Sequence, residues 1–329
     1  MEGASLTGRA GACALIVAAV LSLAQALGVQ ASPRPPRLDT LGAPARTTAA
    51  SREDEPRRHA FALRSLALPA QPSVAIEAIL PGKAAISVPI LMYHYIRVNP
   101  IPRDRIGFGL SVTPTDFEAQ VGWLAANGYH AIDLRDLDSY LNGARSLPSR
   151  PVVLTFDDGY EDFYTTAYPV LRAHRYTAVS YVVTGFVGAP RYMTAAQLVE
   201  LDAAGIEIGA HTVTHPDLTR LDRAGMRHEI EDSKAMLEGL LRHPVLDFCY
   251  PSGKLDGAVV QQVEAAGFRS ATTTAAGTLH SLGDRFSWTR VRVEGGESLA
   301  TFAERLGPQE ATVLVAPAPP STLFTPVGQ

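Results

Sequence analysis

"LTFDDGYEDF", Leu154–Phe163, runs an apolar segment straight into two adjacent aspartates and a glycine. With Pro151–Val153 in front of it, "PVVLTF" reads as a buried strand that stops at Asp157 and Asp158. Adjacent carboxylates repel, and each resists removal from water. Such a pair at a strand end points either to a bound cation or to a solvated turn, which Asp and Gly favour on their own. The segments on either side decide between the two.

Upstream, "VPILMYHYI" (Val88–Ile96) reads as a strand, and "TPTDFEAQVGWLAANGY" as a helix capped by Thr113 with apolar residues at Phe117, Val121 and Leu124. Downstream, "YEDFYTTAYPVLRAHRY" reads as a helix that Pro169 kinks or splits. Strand "AVSYVV", helix "TAAQLVELDAAG" and strand "IEIGAHT" follow, then one long helix over Asp222–Arg242. Strand "LDFCYP", helix "GAVVQQVEAAGF", strands "RSATTT" and "WTRVRV" and helix "SLATFAERLG" complete the series. Alternating β and α segments predict a mostly parallel sheet covered by helices. About seven β segments without a glycine-rich dinucleotide fingerprint argue for a β/α barrel over an open sheet. In such a barrel the chemistry sits where strands end, and Asp157, Asp158, His211 and the turn Pro251–Gly253 all fall there.

The remainder of the 329-residue chain reads differently. Arg9 precedes the apolar run "AGACALIVAAVLSLAQALGV", and the small-residue sites "AQA" and "VQA" follow it. Residues 1–31 therefore read as an export signal or an N-terminal membrane anchor, which places the rest outside the cytoplasm, secreted or tethered at the cell surface. Residues 32–87, rich in Pro, Ala and Arg, read as a linker, 88–307 as the folded domain, and 308–329 as a flexible tail. A net charge of −4 and a pI near 6.1 give no basic footprint for nucleic acid. Two cysteines, Cys13 inside the apolar run and Cys249, do not make a disulfide framework.

"HTVTH" sets His211 and His215 four residues apart, and Pro216 disfavours a continuing helix, so both belong to a turn at a strand end. Two imidazoles and one carboxylate form a ligand set that leaves metal positions open for water, and Asp157 or Asp158 can supply the carboxylate. A cation thus answers the opening question: one aspartate coordinates, and the other stays free as a base. Either motif alone is commonplace on surfaces. Their occurrence at strand ends of one β/α series is not.

"TFDDG", "HTVTH" and "YPSG", in that order over about Val88–Leu306, resemble the first three motifs of the polysaccharide deacetylases, the NodB-homology or carbohydrate esterase 4 family. The resemblance implies a distorted (β/α)7-type barrel and hydrolysis of acetyl groups on sugar polymers. Carried onto this chain, it makes Asp157 the general base, and Asp158, His211 and His215 the metal ligands. Two departures stand out. The arginine that usually opens the third motif is replaced by Cys249 and its aromatic position by Ser252, and no Leu-x-His motif follows "TRVRV". The last histidine, His280, falls in a Gly, Thr and Ser segment that reads as a loop with no strand to aim it. "MYH" at the end of the first strand resembles the exopolysaccharide deacetylases of biofilm systems, whose motifs are circularly permuted. This assigns the acid role to His94, across the metal from Asp157. Arg290 then replaces the missing arginine as the partner of Asp157, with Arg292 as its rival on the same strand face.

The chemistry implied is metal-assisted amide hydrolysis with Zn2+, or Co2+, Ni2+ or Mn2+, and an oxyanion site at Ser252, Gly253 and Tyr250. The partner is an extracellular or cell-wall polysaccharide containing N-acetylglucosamine. Tyr95, Phe108 and Tyr160 are candidates to stack on sugar faces, and "IPRDRIGFGLSV" to line a groove. Two other readings stand beside this one: a carbohydrate-binding protein without turnover, and a metallohydrolase acting on O-acetyl esters or non-sugar amides.

Overall fold

The computed structural model describes residues 85–101 and 103–306. The export segment, most of the linker and the C-terminal tail lie outside the described residues. Among the described residues, no helix is long and apolar enough to cross a membrane.

Seven parallel strands close into a barrel: β1 (Ile90–Tyr93), β2 (Pro151–Phe156), β3 (Val179–Val182), β4 (Glu207–Ala210), β5 (Asp247–Cys249), β6 (Ser270–Ala276) and β7 (Trp288–Arg292). Each pairs with its neighbour in sequence, and β1 closes the ring by pairing with both β2 and β7. The distorted (β/α)7-type barrel expected from the sequence is the observed fold. A short strand, His130–Ala131, extends the sheet beyond β2.

Period-two alternation decides what each strand offers to the lumen. Along β7, Trp288, Arg290 and Arg292 share one face, while Val291 and Val293 pack into the outer core beneath the helices. Along β1, Leu91 and Tyr93 join that outer core, leaving Ile90, Met92 and His94 on the other face. Along β2, Leu154 and Phe156 face out, so Val153, Thr155 and Asp157 face in. Lower in the lumen lies an apolar cluster: Ile90, Val153, Val179, Tyr181 and Trp288 pack with Leu134, Leu137 and Tyr140 of the helix Leu134–Leu141. On these three strands the polar members, His94, Asp157, Arg290 and Arg292 among them, stand higher, toward the C-terminal mouth.

The helices start where capping chemistry permits. Thr113 caps Pro114–Ala126 by accepting the Asp116 N–H, and Thr194 with Gln197 forms a capping box at the start of Ala195–Ala203. Three sequence expectations need correction. The span Asp222–Arg242 is not one uniform α-helix: a π-helical turn, His228–Asp232, separates Arg223–Arg227 from Ser233–Leu241. The segment around Pro169 is split as expected: a π turn, Phe163–Ala167, precedes the α-helix Tyr168–Ala173, because a proline without an N–H breaks the α ladder. Ala85–Ser87, read as the end of the linker, is a strand paired antiparallel with Leu279–Ser281. That pairing aims His280, which is therefore not in a free loop. It is buried, with its Nε2 at 2.9 Å from the Val88 carbonyl and its ring against Trp288.

Candidate active site

The mouth of the barrel holds a cavity of about 450 Å3 lined by His94, Asp157, Asp158, His211, His215 and Ser252, with Arg105, Ile106, Arg292 and Glu294 among its walls. Asp157 and Asp158 follow β2. The chain turns sharply between them, with Asp158 at φ 74° and Gly159 at φ 78°. This left-handed step points the two adjacent carboxylates to different tasks.

Asp157 goes inward. Its two oxygens accept both arms of the Arg290 guanidinium at 2.8 Å each. Arg290 is fully buried and also donates to the Thr273 carbonyl at 2.7 Å and to Thr155 Oγ1 at 2.9 Å. Burial alone would raise the Asp157 carboxyl; the charge and hydrogen bonds of Arg290 outweigh it and hold the group well below the usual carboxylate range. Cys249 Sγ sits 3.3 Å from Arg290 Nη2 and 3.8 Å from Asp157 Oδ2. The smaller thiol thus leaves room for a guanidinium that arrives from β7.

Asp158 turns to the histidines. Its Oδ1 lies 3.4 Å from His211 Nε2 and 3.5 Å from His215 Nε2. His211 follows β4, and its Nδ1 is 2.7 Å from the Cys249 carbonyl. A carbonyl only accepts, so Nδ1 carries a proton, and Nε2 is the ring atom turned to Asp158 and the cavity. Burial pushes the His211 imidazole down, but Cys249 and Asp158 more than offset it and raise it. Burial and the neighbouring His211 lower His215. The ligand atoms of Asp158, His211 and His215 all lie within 4.8 Å of one another, and two imidazole nitrogens with one carboxylate oxygen suit a divalent cation. The residues fit the group.

His94 reaches the cavity from the end of β1, as alternation requires. Its Nε2 is 3.8 Å from Asp157 Oδ2, so it stands beside Asp157 and not across the triad from it. The two are next to each other because β1 and β2 are paired neighbours in the ring. Burial lowers the His94 imidazole, and Arg290 and Arg292 add to that; Asp157 and Asp158 oppose them. Arg292 stands one inward position above Arg290 and lines the cavity without touching Asp157.

Two of the three expected oxyanion residues do not serve. Tyr250 faces outward: it packs on Phe248, and its hydroxyl donates to the Phe286 carbonyl at 2.9 Å. Its neighbour Cys249 takes the inward position, and alternation forbids both. Gly253 already donates its N–H to the Tyr250 carbonyl at 2.8 Å. A Cβ there would lie 2.1 Å from Thr274 Oγ1, so this glycine serves close packing of the turn. Ser252, at φ 54°, remains in the cavity wall.

The sugar-stacking candidates fare no better. Tyr95 and Tyr160 stack on each other at 3.8 Å, Arg97 covers the ring of Tyr95, and Tyr192 packs against Tyr160. Their faces are occupied by one another. Phe108 lies over Gly296 but is 55% exposed, in a helix Arg105–Leu110 within the segment expected to line a groove. That helix does line the cavity, through Arg105, Ile106, Gly109 and Leu110. Thr155, which braces Arg290, escaped the sequence reading; its place two residues before Asp157 in a strand was the available signal.

Comparisons with known proteins agree with this geometry. A family model described as polysaccharide deacetylase matches residues 144–271. The putative polysaccharide deacetylase YxkH of Bacillus subtilis is 30% identical over 215 residues, covering 65% of this chain and 74% of that one. The poly-beta-1,6-N-acetyl-D-glucosamine N-deacetylase of Escherichia coli K12 is 27% identical over 240 residues, 60% of this chain and 36% of that protein. Among solved structures, the Streptococcus pyogenes deacetylase PplD in complex with acetate superposes with a TM-score of 0.63 at 29% identity, covering 68% of this chain and 99% of that one. With the barrel, the double aspartate and the paired histidines all in place, the chain belongs to the polysaccharide deacetylase family and is a hydrolase of that class.

Proposed function

We propose that this protein is a metal-dependent N-deacetylase acting outside the cytoplasm on a polysaccharide containing N-acetylglucosamine. The observation that carries this reading is the adjacency of two devices in one cavity: the Asp158–His211–His215 triad and the Asp157–Arg290 pair. The polymer class is supported by the Escherichia coli relative, whose name states such a substrate. The extracytoplasmic setting is supported by the export-type run at the N-terminus.

A divalent cation, with zinc our proposal, would be held by Asp158, His211 and His215, where it would polarise the acetyl carbonyl and make the attacking water more acidic. The rest falls to the chain's own groups. Asp157, kept ionised by Arg290, takes a proton from the attacking water. The Ser252 N–H is the backbone donor left in the turn to meet the developing oxyanion. His94 gives a proton to the sugar nitrogen as the C–N bond breaks, yielding acetate and a free amine. Burial lowers its pKa and so makes it a stronger acid, and negative charge forming on the substrate favours its protonated form when the proton is needed.

The test is zinc content and acetate release from N-acetylglucosamine oligomers, measured on the wild type and on His211→Ala. The wild type should bind one zinc and release acetate, and the variant should lose most of both. Acetate release at full rate from chelated protein, or a full zinc complement in His211→Ala, would overturn the assignment.

A further inference from the structure

The two histidines of the triad are held by different means. His211 is fixed by the barrel: its N–H donates to the Val182 carbonyl at 3.0 Å, and its Nδ1 to the Cys249 carbonyl at 2.7 Å. His215 lies beyond the strand, and its side chain is 31% exposed. Its N–H reaches Thr212 Oγ1 at 2.9 Å, and both Thr212 (φ 69°) and His215 (φ 60°) adopt left-handed backbone. Such backbone is strained for a residue with a side chain and persists only where its surroundings determine it.

The surroundings here converge on Glu229. Its Oε2 accepts the N–H groups of Val213 and Thr214 at 2.8 Å each, and its Oε1 accepts Thr214 Oγ1 at 2.6 Å. Glu229 is buried, and among the described residues no cation pairs with it. A buried carboxylate in that state depends on those donors as much as the loop depends on it. It comes from the π turn His228–Asp232, an interruption of the helix of the kind that recurs at functional sites. From the other side, the Gly185 N–H donates to the Val213 carbonyl at 2.8 Å, where a Cβ on residue 185 would come within 2.5 Å of that oxygen. The loop is thus clamped between a glycine and a buried anion.

We infer that Glu229 is a positioning residue that aims His215, and through it sets the affinity of the triad for its cation. The inference rests on the metal reading above. The test compares two variants, one shorter and one isosteric, by zinc affinity of the metal-free chain, in competition with a chromophoric chelator. Glu229→Asp keeps the charge but withdraws the carboxylate from the amides. Glu229→Gln loses the charge but keeps the reach: its oxygen can accept both amides while its NH2 donates to Thr214 Oγ1. Glu229→Asp should weaken zinc binding by about 10- to 100-fold, the effect typical of groups that orient metal ligands. Glu229→Gln should stay within about 3-fold, since it retains the two amide bonds. In a His215→Ala background the Glu229→Asp loss should vanish, because the two act through one ligand. Should Glu229→Asp not fold, Thr214→Val deletes only the hydroxyl bond and should cost about 5-fold. Undiminished zinc affinity in folded Glu229→Asp, or in Thr214→Val where that substitutes for it, overturns the positioning role, as does an equal loss with and without His215. A wild-type chain that takes up no zinc overturns instead the metal reading beneath it.

Discussion

At the C-terminal mouth of the barrel Arg290 grips Asp157; at the opposite end Arg269 bridges Glu207 and Asp247. Asp157, Arg290 and Asp247 are buried, Glu207 and Arg269 half-buried, and both clusters set guanidinium against carboxylate. They titrate in opposite directions. Arg290 serves one carboxylate and drives it well below its usual range, against the burial that would raise it. Arg269 is shared between two, and burial together with the nearby Asp247 pushes Glu207 well above its usual range. The lower cluster is also closed: Glu207 Oε2 accepts the Leu134 N–H at 2.9 Å, and Asp247 Oδ1 accepts Ser270 Oγ at 2.5 Å. The mouth instead opens to a cavity, and strained backbone at Asp158, Thr212, His215 and Ser252 surrounds it. Buried charge by itself therefore does not mark a reaction site. A single paired base beside open ligand atoms does.

The sharpest way to break this contrast is Asp157→Asn. It should leave zinc content intact and lower acetate release by about 10²–10⁴-fold, the range for a general base. Equal loss of zinc would mean that the two aspartates have exchanged roles.

His94→Ala comes next. Hydrolysis of N-acetyl groups should fall by about 10²-fold, whereas an aryl acetate ester, whose leaving group needs no proton, should lose under about 10-fold. Parallel losses on both substrates would remove His94 from the acid role.

Arg290→Met sharpens the comparison of the two arginines. It leaves Asp157 buried without its cation, which should cost about 3–5 kcal/mol in denaturant unfolding. The sign of its pH effect follows from the depressed Asp157 carboxyl. In the wild type that stability is present above the unfolded value near 3.8 and is lost as pH falls through the lower folded value. Without Arg290 the folded value rises, so the acid limb of the activity profile should move to higher pH. An unmoved limb would show that something else keeps Asp157 ionised.

The smallest effect belongs to the lower end. Burial lowers His280 from 6.5 to about 4. The unfolded chain then takes up its proton first, so stability should fall as pH drops from about 6.5 to about 4, by about 3 kcal/mol in all. His280→Gln should flatten that part of the stability curve without a change in zinc affinity. An unchanged slope would mean that His280 carries its proton in the folded state.

Hydrophobic period made the barrel legible before any coordinates, while spacing left Asp157 or Asp158 open as partner of the two histidines and only the resemblance to the deacetylase motifs chose Asp158. Strand-end positions told where Asp157, Asp158, His211 and His215 would lie, because a parallel barrel gathers all its strand ends at one mouth. Alternation along "WTRVRV" also put Arg290 and Arg292 on the same face. Tyr250 was misplaced although the same rule, applied to "DFCY", sends it outward once Cys249 faces in.

What the sequence by itself determined was therefore the set of groups that share the mouth: local periodicity and capping are properties of a short stretch, and they fix the direction of each side chain from its strand. Only the tertiary structure decided which of them touch. That Arg290 and not Arg292 holds Asp157 depends on how far β7 is shifted against its neighbours. That His94 stands beside Asp157 depends on the closure of β1 onto β2, a contact between residues 63 positions apart. The grip of Glu229 on the histidine loop depends on a π turn that no periodicity announces. Register, closure and helix irregularity are set by the summed packing of the whole barrel, and no single segment carries that information.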